Sequence, residues 1–206
     1  MLCRRHLVLL LGPMLGCGSA YAASGVEEFT PATADEGLLF GLTHPLAGVD
    51  HLGAIVAIAT IAVMVGASIR LPLVFVLASF AGLRLHGLGG ELPLGNELLT
   101  GLSAVGFGLA LIFGWSCRPV ALTTALVAAG LAHGYAYGEH VDAAVVAAFL
   151  TSILGLAMVQ VAMVVGVFRA GLGWAARRPW GTAKLYRTVG GYAVMAGTIA
   201  LLVASA

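Results

Sequence analysis

Apolar residues dominate this chain in long runs with few interruptions. After a polar, acidic stretch from Ala23 to Glu36, which carries Pro31 and Thr33, six apolar runs cover roughly residues 38–67, 71–88, 97–115, 119–138, 142–168 and 188–205. Each is long enough for a helix of about 17–25 residues, the length that crosses the hydrocarbon core of a bilayer. Arg70, "HGLGGELPLGN", "WSCRP", "GEHVD" and "RAGLGWAARRPWGTAKLYR" separate them. The pattern predicts an all-α integral membrane protein with six transmembrane helices in one bundle, helix one being open to a break near Pro45.

Composition agrees. Of 206 residues, 60% are hydrophobic and only 9% charged, with a mean hydropathy of +1.02, which excludes a water-soluble globule. The 29 glycines suit transmembrane helices, which approach closely only where side chains are small. A net charge of +1 gives no sign of nucleic-acid binding.

The N-terminus, "MLCRRHLVLLLGPMLGCGSAYAASG", has the parts of a secretory signal: basic Arg4 and Arg5, an apolar stretch, and Ala20-Tyr21-Ala22 as a small-residue cleavage site. A lipobox ending at Cys17 is the rival, but Met14-Leu15-Gly16 fits it poorly. The expected organisation is a signal peptide over 1–22, a periplasmic leader over 23–36 and a six-helix transmembrane domain over 37–206. Cleavage removes Cys3 and Cys17, so Cys117 has no partner within the mature chain and reads as a small apolar filler.

Charge then sets the topology. With the mature N-terminus outside, alternate connections place Arg70, Arg118, Arg169, Arg177, Arg178, Lys184 and Arg187 in the cytoplasm. The other side collects Glu27, Glu28, Asp35, Glu36, Glu91, Glu97, Glu139 and Asp142. This asymmetry is what the positive-inside rule requires of a bacterial inner-membrane protein with both mature termini periplasmic. The fifth connection, basic and carrying Trp174 and Trp180, is expected to lie as an amphipathic segment on the inner leaflet.

Within the apolar runs a few ionisable residues stand out. "LTHPLAGVDH" puts His44, Asp50 and His51 in the outer part of helix one, and "LAHGYAYGEH" puts His133, Glu139 and His140 near the outer end of helix four. On an unbroken helix His44 and His51 would lie about 10 Å apart along the axis, too far to share an ion. A break at Pro45 or Gly48 would let them approach; without one they would mark successive stations. Gly134 and Gly138 offer a smooth face to a neighbouring helix.

Imidazole and carboxylate are suitable ligands for Ni²⁺, Co²⁺, Zn²⁺ or Cu²⁺, and ionisable groups inside a membrane mark functional sites. The alternative is a polar cluster whose members bond each other and the backbone freed near Pro45. His86 reads as a histidine that snorkels to the interface or bonds to a loop carbonyl, and His140 as an ordinary loop residue as much as a ligand. Arg84 should pair with Glu91, Glu97 or Asp50, because an unpaired Arg in a bilayer costs about 2.5 kcal/mol or more. Met158, Gln160 and Met163 read as packing residues.

His44 followed after five residues by Asp50-His51, together with "HGYAYGE" over His133 to Glu139, resembles the two signatures of the HupE/UreJ family of nickel and cobalt permeases. The likeness extends to the signal peptide and the six-helix layout. It departs at Ala132, where family members usually carry Phe, and at Leu92-Pro93, whose spacing to Glu97 differs. The resemblance implies a permease or channel-like carrier that imports Ni²⁺ or Co²⁺ from periplasm to cytoplasm. Its metal ligands would be His44, Asp50, His51, His133 and Glu139, with Glu97 a weaker candidate; His86, which is not part of the family pattern, and His140 are weaker candidates by their positions alone.

The chain has no phosphate-cradling Gly-rich loop followed by Lys-Ser or Lys-Thr, so it is not expected to hydrolyse ATP or to be an enzyme. No resident cofactor is expected; the ion is cargo, the bilayer is the surrounding partner, and assembly into a homo-oligomer stays open. Two other readings remain at this stage: a metal-dependent intramembrane hydrolase using the same ligands, and a b-type haem protein with His51 and His133 as axial ligands.

Overall fold

The computed structural model describes residues 30–89, 96–115 and 118–205. The signal peptide expected over 1–22, most of the leader, Glu91, Leu92-Pro93, Cys117 and the side chain of Glu97 lie outside the described residues. Among the described residues seven helices follow in order: α1 (Ala34–Ala47), α2 (Val49–Met64), α3 (Arg70–Gly87), α4 (Asn96–Phe113), α5 (Pro119–Gly138), α6 (Val146–Arg177) and α7 (Thr182–Ala204), with a 3₁₀ turn at Pro179–Gly181. No strand occurs among the described residues.

α1 starts inside the stretch expected to be leader because Thr33 caps it. The Thr33 hydroxyl accepts from the Glu36 N–H at 3.3 Å, while the Glu36 carboxylate accepts from the N–H groups of Thr33 and Ala32 at 3.1 and 2.9 Å. Two otherwise unpaired helix donors are thereby satisfied reciprocally. The predicted break in the first span is present, and it falls at Gly48 rather than at Pro45. Pro45 stays within α1, but it has no N–H for the Gly41 carbonyl and so weakens the last turn. Gly48 is extended (φ −72°, ψ 104°) and closes α1 through its N–H to the His44 carbonyl at 3.0 Å. α2 then restarts at an angle of 73°.

Three glycine-lined seams order the bundle. Gly37 and Gly41 of α1 lie on Ala148 and Ser152 of α6; Gly130, Gly134 and Gly138 of α5 lie on Phe75, Ser79 and His86 of α3. In both pairs the numbers rise together, so the partners run parallel. Gly101 and Gly108 of α4 lie on Gly197 and Gly190 of α7, an antiparallel pair. The role expected of Gly134 and Gly138 as a smooth face is thus met: a Cβ on Gly134 would collide with the Ser79 carbonyl.

Between the seams, Ile55, Ile58, Phe75, Leu126 and Val164 form a core at most 1% exposed. Leu77, Val120, Leu150, Leu154, Leu202 and Val203 point outward and are more than half exposed, a surface suited to hydrocarbon. Among the described residues α5, α6 and α7 are long and apolar enough to cross a membrane, and the bent α1–α2 pair is apolar and long enough to count as a fourth where the two helices are taken as one span. α3 carries Arg70 and Arg84 in 18 residues, and the apolar part of α4, Leu98–Phe113, is short. The fold is that of a multi-pass helical membrane protein.

One expectation changes. The basic fifth connection is not a separate amphipathic segment: α6 runs on to Arg177, Pro179 stops it, and α7 begins at Thr182. Its cations therefore sit on the adjoining ends of two helices, where the Arg178 guanidinium lies over the Trp174 ring at 5.1 Å.

Candidate metal centre

His44 occupies the last turn of α1 and Asp50 the first turn of α2, so the Gly48 break is what turns them toward each other. Gly48 also makes the room: a Cβ there would stand 3.1 Å from His51 Nδ1 and 3.4 Å from Asp50 Oδ1. His133 arrives from the last two turns of α5, where it is 1% exposed, and His140 follows the end of that helix. Ring centroids are 5.4 Å apart for His44 and His51, 4.6 Å for His51 and His133, and 5.3 Å for His44 and His140. Phe40 and Tyr137 pack on His44 at 5.0 and 4.9 Å, and Phe75 packs on His133 at 5.3 Å.

Hydrogen bonds bear on which nitrogen is available in three of the four rings, His51, His133 and His140. His51 Nδ1–H donates to Asp50 Oδ1 at 3.2 Å, since a carboxylate only accepts; Thr100 of α4 supports the same carboxylate. His51 Nε2 is then a bare lone pair, and it is buried with no partner. The Ser103 hydroxyl lies 2.8 Å from both the Thr100 carbonyl and His133 Nε2, and in the tautomer where its proton goes to the carbonyl it accepts from His133 Nε2–H. His133 Nδ1 is left bare, and it too is buried without a partner. His140 Nδ1–H donates to the Ala136 carbonyl at 3.1 Å, which leaves Nε2 as its lone pair. A carboxylate, a hydroxyl and a carbonyl each holding one imidazole nitrogen while the other waits is the usual support of metal-binding histidines.

Replacing Ser103 by Ala should therefore weaken divalent-metal binding about 10–100-fold, the typical cost of losing such a support. Metal titration of the purified protein measures it, with Ser103→Thr as the variant that keeps the acceptor. Unchanged affinity in Ser103→Ala would remove Ser103 from the site.

The remaining candidates stand elsewhere. Glu139 caps α5 and is exposed at the rim. His86 packs edge-on against Tyr135 at 4.8 Å and on the Gly138 backbone, with its Nδ1 buried and without a hydrogen-bond partner. It is therefore not the carbonyl-bonded loop histidine that the sequence suggests. Arg84 is exposed, and Asp50 pairs with His51 instead of with it. Among the described residues no three His, Cys, Asp or Glu side chains are arranged to hold one ion together. The imidazoles meet two at a time.

Sequence reasoning passed over Ser103, Thr100 and Phe40. The first two were visible as hydroxyls one turn apart in an apolar run, a spacing that turns both toward one neighbour. Gln160, read as packing, is 2% exposed and accepts from the Ser79 hydroxyl at 3.0 Å, which ties α6 to α3. A groove of about 640 Å³ between α4 and α5 reaches Ser103, but no ionisable side chain lines it, so it is no ion site.

A protein-family model described as HupE / UreJ protein matches residues 11–200. Comparison with curated proteins and with solved structures found no match.

Proposed function

This chain belongs to the HupE/UreJ family, which is linked to nickel and cobalt transport, and from that premise we propose that it imports Ni²⁺ or Co²⁺ from periplasm to cytoplasm. In this reading the protein sits in the bacterial inner membrane after loss of residues 1–22, crosses it six times and keeps both mature termini in the periplasm. The relative directions of the helices support that layout. α1 runs with α6, α3 runs with α5, and α4 runs against α7, as in a chain that reverses direction at each of five connections.

One observation carries the functional reading. Two sequence segments more than eighty residues apart bring His44, Asp50, His51 and His133 to one end of the bundle, where two ring nitrogens are buried without partners. Unpaired buried polar atoms cost about 1–3 kcal/mol each, so they are retained where they serve another purpose. Glu139 and the acidic residues of the outer connections attract the hydrated cation, and the imidazoles and Asp50 replace part of its water. Beneath them Phe75, Ile55, Ile58 and Leu126 close the way inward, so passage requires these helices to part. Inward membrane potential favours a divalent ion by about 4.6 kcal/mol per 100 mV.

The haem reading is not favoured, because imidazoles on opposite sides of one iron stand about 6 Å apart at metal–nitrogen distances of about 2 Å. His51 and His133 are at 4.6 Å. The decisive experiment is uptake into proteoliposomes loaded with a metal-sensitive dye. Ni²⁺ and Co²⁺ are expected to enter with wild type and not with His51→Ala. Entry no faster than into protein-free vesicles refutes the proposal.

A further inference from the structure

The four imidazoles form a line rather than a cluster: His140, His44, His51, His133. Two imidazoles on one ion, with metal–nitrogen bonds of about 2.0–2.1 Å, have centroids about 4.5 Å apart at a 90° angle and about 5.1 Å apart at the tetrahedral angle. The successive spacings of 5.3, 5.4 and 4.6 Å all lie close to that range. Each neighbouring pair is thus spaced to share an ion, and each shares one ring with the next pair.

Exposure grades along the same line. His133 is 1% exposed and His51 8%, while His44 and His140 are half-buried. His140 also has its ring fixed: the Nδ1–H bond to Ala136 holds it over Phe40, centroids 6.5 Å apart, with Nε2 left as the ligand atom.

Resting on the transport reading above, we propose that His140 is the receiving ligand of a relay, in which a divalent ion passes from the His140–His44 pair to His44–His51 and then to His51–His133. Water completes the coordination at each stage. The absence of any three-ligand group among the described residues then has a use. Conduction needs sites strong enough to enter and weak enough to leave, and two-imidazole sites sharing a ring meet both demands. His44 is the pivot, which explains why the Gly48 break that brings it to His51 lies between them.

The test uses the full-length protein. In proteoliposomes His140→Ala is expected to raise the KM for Ni²⁺ about tenfold with kcat within twofold of wild type, whereas His51→Ala abolishes flux. His140→Gln can still donate to the Ala136 carbonyl but has no imidazole, so it should behave as His140→Ala. A wild-type KM in His140→Ala, or its restoration in His140→Gln, overturns the proposal and leaves the transport reading intact.

A second measurement does not depend on flux. With the inner pair removed by His51→Ala and His133→Ala, titrated Co²⁺ is expected to give one set of visible absorption bands, lost when His140→Ala is added. Bands unaffected by His140→Ala, or no bands before it, overturn the relay. Should the wild type carry no ion at all, the transport reading fails, and this titration still decides on the outer pair.

Discussion

Alanine at His51 or at His133 is expected to weaken Ni²⁺ and Co²⁺ binding about 100-fold or more, near 2.8 kcal/mol, while the protein remains folded. Losing a group that merely supports a ligand costs about 10–100-fold, and losing the ligand itself should reach at least the upper end. His51→Ala has a second effect, since it leaves the half-buried Asp50 carboxylate without its ring N–H. On the proposal that both rings touch one ion, the double variant should cost less than the two single losses combined.

Isothermal titration in detergent measures this, with circular dichroism as the check on folding. Asp50→Asn sorts the roles further. A loss of about 10–100-fold marks a support of His51, and a loss matching His51→Ala marks a direct ligand. Near-wild-type affinity in both histidine variants would take the metal centre away from this end of the bundle.

The second large effect lies in the packing. Gly134→Ala is expected to destabilise the protein by about 3 kcal/mol or more, the upper range for overpacked interiors. The added Cβ would occupy the position of the Ser79 carbonyl. α3 has little freedom to retreat, because Ser79 is 0% exposed and bonded to Gln160 of α6. Any retreat of α5 also displaces the neighbouring His133 from Ser103, so metal binding should fall with stability. Gly166→Ala is the control: nothing lies within 4 Å of a Cβ there, and it should be near neutral. Unfolding midpoints and the monodisperse fraction on size exclusion read both, and equal behaviour of the two variants would mean that the α3–α5 seam tolerates separation.

Much of this was legible along the chain. The helical segments follow from apolar length, and the interruptions from Arg70, Pro119 and the glycine-rich connections. The histidines and Asp50 announced themselves because ionisable groups are costly in hydrocarbon. The signatures around His44–His51 and His133–Glu139 led to the family that the match over residues 11–200 establishes.

Other features depend on what lies across a helix interface, and a linear pattern holds no record of that. The fifth connection looked like a surface segment because its charges interrupt the apolar run, yet Arg and Ala favour helix and the backbone continues until Pro179. Of the three acids open to Arg84, Asp50 pairs instead with the adjacent ring of His51, while Glu91 and the side chain of Glu97 lie outside the described residues. Glu139 and His140 are consecutive, and only the local turn decides that one faces out while the other bends back over Ala136.

The sequence by itself determined a helical membrane protein, the positions of its apolar helical segments and the residue types that make it a candidate for metal transport, because the bilayer taxes every polar group in proportion to its depth. Tertiary structure alone decided that the first span breaks at Gly48, that Ser103 orients His133, and that four imidazoles stand in line rather than around one point. Those outcomes follow from which backbones the glycines let approach, and that choice is made between helices, not along them.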